Sequence, residues 1–201
     1  TLDQIKNLEV LLVYDMNGQP LLPQHGAPLR IIVPGWYGMA SVKWLKKVEA
    51  LTEPFLGFQQ TQTYRFRQSA DDEGQPVTSM RVKSLMVPPG VPDWISRNRC
   101  IEPGKITVNG RAWSGAGKKI TKVEFASNGN WEAAEILDQV GKFAWTGWRY
   151  QWDAKPGKHI LQCRASDESG ETQPMTPPWD FAGFGNNAVQ SVTVFVKDHN
   201  C

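Results

Sequence analysis

The stretch ITKVEFASNGNWEAAEILDQVGKFAWTGWRYQWDAKPGKHILQCRAS, residues 120–166, contains the pattern that decides the fold. Strand-like segments in it are separated by the pairs Asn128-Gly129 and Pro156-Gly157, which favour tight turns. The pattern continues outward on both sides, and the strand-like segments are residues 105–108, 120–127, 133–136, 148–152, 159–166 and 189–196. Short strands with turns at intervals of about 8–12 residues indicate an immunoglobulin-like β-sandwich.

The first ninety residues carry a different pattern. TLDQIKNL, residues 1–8, predicts a short helix with Thr1 as its N-cap. Residues 10–14 and 29–33 are continuous apolar runs of the kind found in strands buried on both faces. Two further strands are predicted at 43–50 and 82–87, with a surface excursion at 52–79. Because proline and glycine stop regular structure at 88–92, we predict a first domain at 1–88, a linker at 89–95 and a sandwich domain at 96–201.

The composition gives no indication of a nucleic-acid partner, a membrane span or a zinc site. The formal net charge is +2 over 201 residues, so no strong field attracts nucleic acid or an anionic membrane. No apolar run reaches the ~20 residues that a bilayer-spanning helix needs. The three cysteines, Cys100, Cys163 and Cys201, do not have the spacing of a zinc site, and a disulfide between any two of them stays open.

A group of basic residues surrounds the second apolar run. HGAPLR (25–30), VPG (33–35) and SVKWL (41–45) place an imidazole, a guanidinium and an ammonium near a glycine-bearing loop. Backbone N–H groups in such loops form anion-binding concavities, and a guanidinium can meet two phosphate oxygens at once. The structural alternative is that Arg30 closes an internal salt bridge, His25 is a satisfied loop histidine and Lys43 is solvated.

The ordered string HGxPLR…VPG…SVKWL, with its lead-in LLVYDMNGQPLLPQHG at 11–26, resembles the cofactor-binding stretch of the sulfite oxidase family of molybdenum oxidoreductases. That family includes plant nitrate reductases and bacterial relatives. The resemblance implies that residues 1–88 are the C-terminal part of an α+β molybdopterin-binding domain. It also implies that the residues holding the phosphate and pterin of molybdopterin, the molybdenum cofactor, are His25, Arg30, Ser41, Val42 and Lys43.

The second half resembles the dimerisation domain of the same family. The matching pieces are Gly110–Gly115, Ile120–Glu124, Ser127–Gly129 with Trp131, Trp148–Trp152, Arg164–Asp167, Gln173-Pro174 and Gly185–Ala188. The whole chain is therefore expected to be mainly β, with the immunoglobulin-like sandwich following a partial cofactor domain, and to form a homodimer. The implied activity of the parent protein is oxygen-atom transfer to sulfite or a similar small substrate, in the periplasm.

Two positions depart from the family pattern. The resemblance places the cysteine that holds molybdenum ahead of residue 1, so we assign no metal ligand and no catalytic residue here. We expect the chain alone, without the N-terminal half of the cofactor domain, to be inactive. The substrate-binding arginine of sulfite oxidases falls at Ala182, and Arg81 or Lys83 are candidate replacements, so the substrate stays open.

Two other functions remain as alternatives. One alternative is a catalytically silent dimerisation module that associates through its sandwich. The other is a tryptophan-rich module that binds carbohydrate or protein, with exposed rings as a stacking platform.

Overall fold

The computed structural model describes residues 2–7 and 9–198. Thr1, the predicted helix cap, and Cys201 lie outside the described residues. The contacts divide the chain into two compact units. The first unit comprises residues 1–80, 115–117 and 178–186, and the second comprises 81–114, 118–177 and the residues from 187 onward.

The first unit is built from short elements. Its helix is α1 (Leu2–Asn7), and its strands are β1 (Leu11–Val13), β2 (Asp15–Met16), β3 (Gln19–Pro20), β4 (Arg30–Ile32), β5 (Arg65–Phe66) and β6 (Gln75–Pro76). Single helical turns occur at Pro23–His25, Gly38–Ala40 and Gly115–Gly117, and a π-helical turn at Gln59–Thr63. The strands pair antiparallel as β1–β4, β2–β3 and β5–β6. Asn17 and Gly18 both have positive φ, as the β2–β3 turn requires.

Two predictions for this unit are wrong. The runs at 10–14 and 29–33 form β1 and β4, but neither strand is buried on both faces, because Leu11 and Leu12 are 51% and 57% exposed and residues 30–32 are only half-buried. β1 pairs with β4 in a two-stranded sheet. Burying both faces of that sheet would need further polypeptide packed against each face. Residues 43–50 form no strand, and Trp44, with a φ of 53°, lies outside the extended conformation.

The second unit contains two β-sheets. Its strands are β7 (Lys83–Val87), β8 (Val91–Pro92), β9 (Arg99–Ile101), β10 (Gly104–Trp113), β11 (Ile120–Ser127), β12 (Asn130–Ala133), β13 (Glu135–Ile136), β14 (Thr146–Ala154), β15 (Gly157–Asp167) and β16 (Ser191–Val196). One sheet has the order β13-β14-β10-β7 and the other β12-β11-β15-β16-β9-β8. Neighbouring strands are antiparallel except for β9 and β16, which are parallel.

The core of this unit lies between the two sheets. Val108 and Trp148 from the first sheet pack in one cluster with Phe125 and Leu161 from the second, and each is at most 2% exposed. Burial of each such side chain contributes about 1.5–3 kcal/mol. The predicted mainly β class is confirmed, and the two packed sheets are consistent with an immunoglobulin-like sandwich.

The polypeptide between the predicted domains has structure of its own. The strand predicted at 82–87 is present as β7, where it pairs with β10 in the second unit. Part of the predicted linker at 89–95 forms β8, which pairs with β9.

A buried carboxylate closes the turn after β15. Asp167 is 2% exposed and accepts hydrogen bonds from the hydroxyls of Ser114 (2.7 Å) and Ser169 (2.6 Å). Burial raises the pKa of Asp167, but these hydrogen bonds and the nearby Lys118 charge outweigh burial, so its pKa lies below the usual range.

Candidate cofactor-binding site

The chain reverses direction twice around β4, and the reversals gather the basic residues. The turn at Pro23–His25 ends at Gly26, whose φ of 109° is the left-handed conformation that favours glycine. The loop after β4 returns alongside it, where the Ile31 N–H donates to the Val42 carbonyl at 3.0 Å. A side chain at Gly26 would meet the Cβ atoms of Lys43 and Arg30 at 3.1 and 3.2 Å, so glycine allows the segments to approach. We call residues 24–26, 30 and 41–43 the basic cradle.

Arg30 is fixed within the basic cradle by main-chain carbonyls. Its Nη1 donates to the His25 carbonyl at 3.1 Å and its Nη2 to the Ser41 carbonyl at 3.3 Å. Its Nε is buried and has no partner. Within the described parts of the chain no carboxylate forms an ion pair with it, so the salt-bridge alternative for Arg30 does not describe this structure.

The other four predicted residues lie around Arg30. His25 has a buried Nδ1 without a partner, unlike a satisfied loop histidine. The Lys43 Nζ is exposed and donates to the Gln24 carbonyl at 2.7 Å. The Ser41 hydroxyl accepts the Val33 N–H at 3.1 Å, and Val42 contributes its main chain while its side chain is 51% exposed.

Sequence reasoning missed two contributors to the basic cradle. Gln24 supplies the carbonyl that holds Lys43, and Trp44 donates its indole N–H to the Pro23 carbonyl at 2.8 Å. A main-chain carbonyl leaves no signal in residue type. Gly26 did leave a signal, because it stands inside the quoted motif, but only the structure reveals the close approach that requires it.

The basic cradle is suited to a phosphate. The guanidinium of Arg30 and the ammonium of Lys43 each use only part of their hydrogen-bonding capacity on main-chain carbonyls, and none of the three carbonyls neutralises a positive charge. Buried Nε and Nδ1 atoms without partners are costly unless a ligand satisfies them. The residues therefore fit an oxyanion such as the phosphate of a pterin cofactor.

A segment from the C-terminal part of the sequence also lies in the first unit. The Asp180 carboxylate accepts the N–H groups of Arg67 (2.8 Å), Phe184 (2.7 Å) and Ala182 (3.2 Å). Ala182 is exposed. Arg81, one candidate replacement for the arginine absent at 182, is assigned to the second unit. Arg67, which sequence reasoning did not single out, contacts the Asp180 segment through its main chain.

The two described cysteines are free thiols. Cys163 is fully buried, and burial raises its pKa to about 11, so it is protonated at neutral pH. Cys100 is exposed. The described residues contain no group of three or more His, Cys, Asp or Glu side chains placed to hold a metal ion, and none of their helices is long and apolar enough to cross a membrane.

Comparison with known proteins agrees with this architecture. Residues 1–59 match the model of the oxidoreductase molybdopterin binding domain, and residues 75–197 match that of the Mo-co oxidoreductase dimerisation domain. The chain is 32% identical to the mitochondrial sulfite oxidase of Homo sapiens over 94% of its own length. It is 32% identical to the NADH nitrate reductase of Ulva prolifera over 91% of its length. The sulfane dehydrogenase SoxCD of Paracoccus pantotrophus superposes with a TM-score of 0.78 and 27% identity, covering 94% of this chain.

The two matched domains, the molybdopterin binding domain and the Mo-co oxidoreductase dimerisation domain, define the class as oxidoreductases that use a molybdenum cofactor. Within that class, the chain belongs to the sulfite oxidase family. The cofactor indicated by the matching domain is molybdopterin with its molybdenum.

The chain is shorter than the relatives it matches. The chain spans 37% of the human sulfite oxidase, 24% of the nitrate reductase and 51% of the SoxCD chain. The expected periplasmic location is contradicted, because the sulfite oxidases of Homo sapiens and Macaca fascicularis that it resembles are mitochondrial proteins.

Proposed function

We propose that this chain is the C-terminal part of an oxidoreductase that transfers an oxygen atom to sulfite or a similar small substrate. The first unit supplies part of the pterin site, and the second supplies a homodimer interface. The observation that supports the proposal is the basic cradle, where the side chains of Arg30 and Lys43 donate to main-chain carbonyls of adjoining segments and, among the described residues, form no ion pair with a carboxylate. When bound, the cofactor supplies the redox chemistry, and the protein binds and orients it.

Each cradle residue has a distinct role in this proposal. Arg30 and Lys43 bind phosphate oxygens, and the carbonyls that hold them fix their orientation beforehand. His25 offers its buried Nδ1 to the same group. Ser41 and Val42 shape the loop through the Val33 and Ile31 N–H groups. Each charge-assisted hydrogen bond to the phosphate contributes about 1.5–3 kcal/mol.

A second part of the proposal concerns the apolar surface of the first unit. Leu11, Leu12 and Tyr14 are 51–69% exposed, as are Phe55 and Phe58 at 64% and 69%. Large apolar side chains exposed in such number on one unit are candidates for contacts with a partner. The relatives are longer than this chain, and we propose that the remainder of their molybdopterin-binding domain packs on this surface. The isolated chain would then be inactive, and sulfite-dependent electron transfer by the purified 201 residues would contradict this.

Binding of the pterin tests the basic cradle without measuring activity. Molybdopterin released from a denatured molybdenum enzyme would be titrated into the purified chain, with tryptophan fluorescence as the signal because Trp44 adjoins Lys43. Loss of one charge-assisted contact in Arg30→Met or Lys43→Met should raise Kd by about tenfold or more. The control Lys46→Met removes an exposed lysine three residues after Lys43 and should leave Kd unchanged.

Two outcomes would count against the proposal. Equal affinity in all four proteins would show that the basic cradle is not the binding site. No binding by the unaltered chain, together with a stable dimer, would favour the alternative of a dimerisation module without a cofactor role.

A further inference from the structure

A hairpin whose tip is braced by hydrogen bonds lies at one edge of the six-stranded sheet in the second unit. It consists of β8, the tip at residues 93–98 and β9, and we call residues 91–101 the edge hairpin. At its tip, Asp93 Oδ1 accepts the N–H groups of Ile95 (3.1 Å) and Ser96 (2.7 Å) and the Ser96 hydroxyl (2.8 Å). The Asp93 N–H donates to the Asn98 carbonyl at 2.7 Å. These bonds hold the tip in one conformation.

The tip presents apolar side chains to solvent. Trp94 is 84% exposed, Ile95 90% and Val91 83%. Asp93 and Arg97 flank the two tip residues, and the Arg97 guanidinium lies 5.6 Å from the Trp94 ring centre. Large apolar side chains on a pre-organised loop bind a partner with little loss of conformational entropy, and tryptophan is enriched among the residues that dominate interface energies.

A hollow lies next to this protruding tip. It has a volume of about 370 Å³ and is lined by Pro88, Pro92, residues 96–99, among them Arg97 and Arg99, and residues 190–193. The proline rings supply apolar walls. The two guanidinium groups suit the face of an indole, which attracts cations through its ring quadrupole.

We propose that the edge hairpin joins two copies of this chain, with Trp94 and Ile95 of each copy entering the hollow of the other. A two-fold contact uses the same patch on both copies, so it requires a patch that is complementary to itself. A protruding tip beside a hollow meets that requirement. The inference rests on the homodimer in the proposed function and assigns its surface.

Sheet extension is a poorer way for the same edge to associate. β8 has two residues, and Pro92 has no N–H to donate to a new strand. Insertion of each tip into the hollow of the other copy would bury enough apolar area for a specific contact. Burying Trp94, Ile95, Val91 and Val87 would remove roughly 500 Å² per copy, or about 1,000 Å² in total, which is about the minimum for a specific interface.

Sedimentation equilibrium of the 201-residue chain tests the assignment. The double variant Trp94→Ala, Ile95→Ala should raise the dimer Kd by about 30-fold or more, because each change occurs twice in a symmetric contact. Asp93→Ala, which frees the tip without removing an apolar side chain, should raise Kd by a smaller factor. The control Val140→Ala truncates a side chain that is 94% exposed elsewhere on the second unit and should not change Kd. Circular dichroism would verify that each variant is folded.

The outcomes separate this inference from the proposed function. A dimer that keeps its affinity in the double variant would overturn the edge hairpin as the interface while leaving the homodimer intact. An unaltered chain that stays monomeric at 100 µM, on the order of the weakest specific dimers, would overturn the homodimer and this inference together.

Discussion

Gly110 lies in the middle of β10 with no room for a side chain. It pairs with Trp148 on one neighbouring strand and with Met86 on the other. A Cβ at Gly110 would lie 2.2 Å from both Cε2 and Cζ2 of the Trp148 indole and 2.4 Å from the Leu85 carbonyl oxygen. Trp148 is 0% exposed, so its ring has no free space into which to move.

Gly110→Ala should therefore destabilise the sandwich strongly. Overpacking of a core costs typically 1–3 kcal/mol, and the enclosed ring and fixed carbonyl put this case near ~3 kcal/mol. At about 2–4 °C per kcal/mol, the expected fall in Tm is about 6–12 °C. Gly141→Ala is the matched control, because an added Cβ there meets nothing within 4 Å. Its effect should stay within about 0.5 kcal/mol.

Urea unfolding of the two variants would measure these free energies. A second background sharpens the test, since Trp148→Phe removes the Cζ2 atom that an added methyl group would meet. Gly110→Ala should cost at least ~1 kcal/mol less in that background, with the remainder due to the Leu85 carbonyl. Equal stability of Gly110→Ala and Gly141→Ala, or no coupling to Trp148→Phe, would refute this account of the packing.

Three further predictions follow from buried polar groups. Asp167→Asn should lower the free energy of unfolding by about 2 kcal/mol at pH 7. Because folding lowers the pKa of Asp167, the carboxylate stabilises the protein above its unfolded pKa, and this stabilisation fades as the pH falls below ~4. Urea unfolding should therefore show the two proteins becoming closer in stability in acid. Iodoacetamide at pH 8 should modify Cys100 in the native protein and reach Cys163 only after unfolding, as peptide mass mapping would show. Asp180→Ala leaves three N–H groups without their acceptor, so limited proteolysis should cut residues 179–184 faster, and an unchanged rate would contradict the clamp.

The sandwich was the part of the fold most open to prediction. Its strands coincide with apolar segments that turn-forming residues separate. At one of these turns, Asn128 and Gly129 adopt positive φ values of 52° and 82°, which asparagine and glycine favour. The structure moved several predicted strand ends: the strand at 105–108 became Gly104–Trp113, whereas the strand at 189–196 was shortened to Ser191–Val196. Where a strand ends depends on its hydrogen bonds to the neighbouring strand, and these can extend beyond the residues whose sequence pattern predicts a strand.

The basic cradle could be predicted only as a set of residues. Motif order brought His25, Arg30 and Lys43 into one hypothesis, and the structure places them together. The roles given to these residues in cofactor binding remain a proposal. The partners of Arg30 were beyond sequence reasoning, because both are main-chain carbonyls that any residue type could supply.

The sequence by itself determined the family, the mainly β class and the set of candidate cofactor-binding residues, because local patterns and motif order are properties of a linear chain. Only the tertiary structure decided that β1 is exposed, that residues 43–50 form no strand and that residues 178–186 join the first unit. Those outcomes depend on contacts between residues far apart in sequence, as between Arg67 and Asp180. No local pattern records which distant segment will supply a hydrogen bond or cover an apolar face.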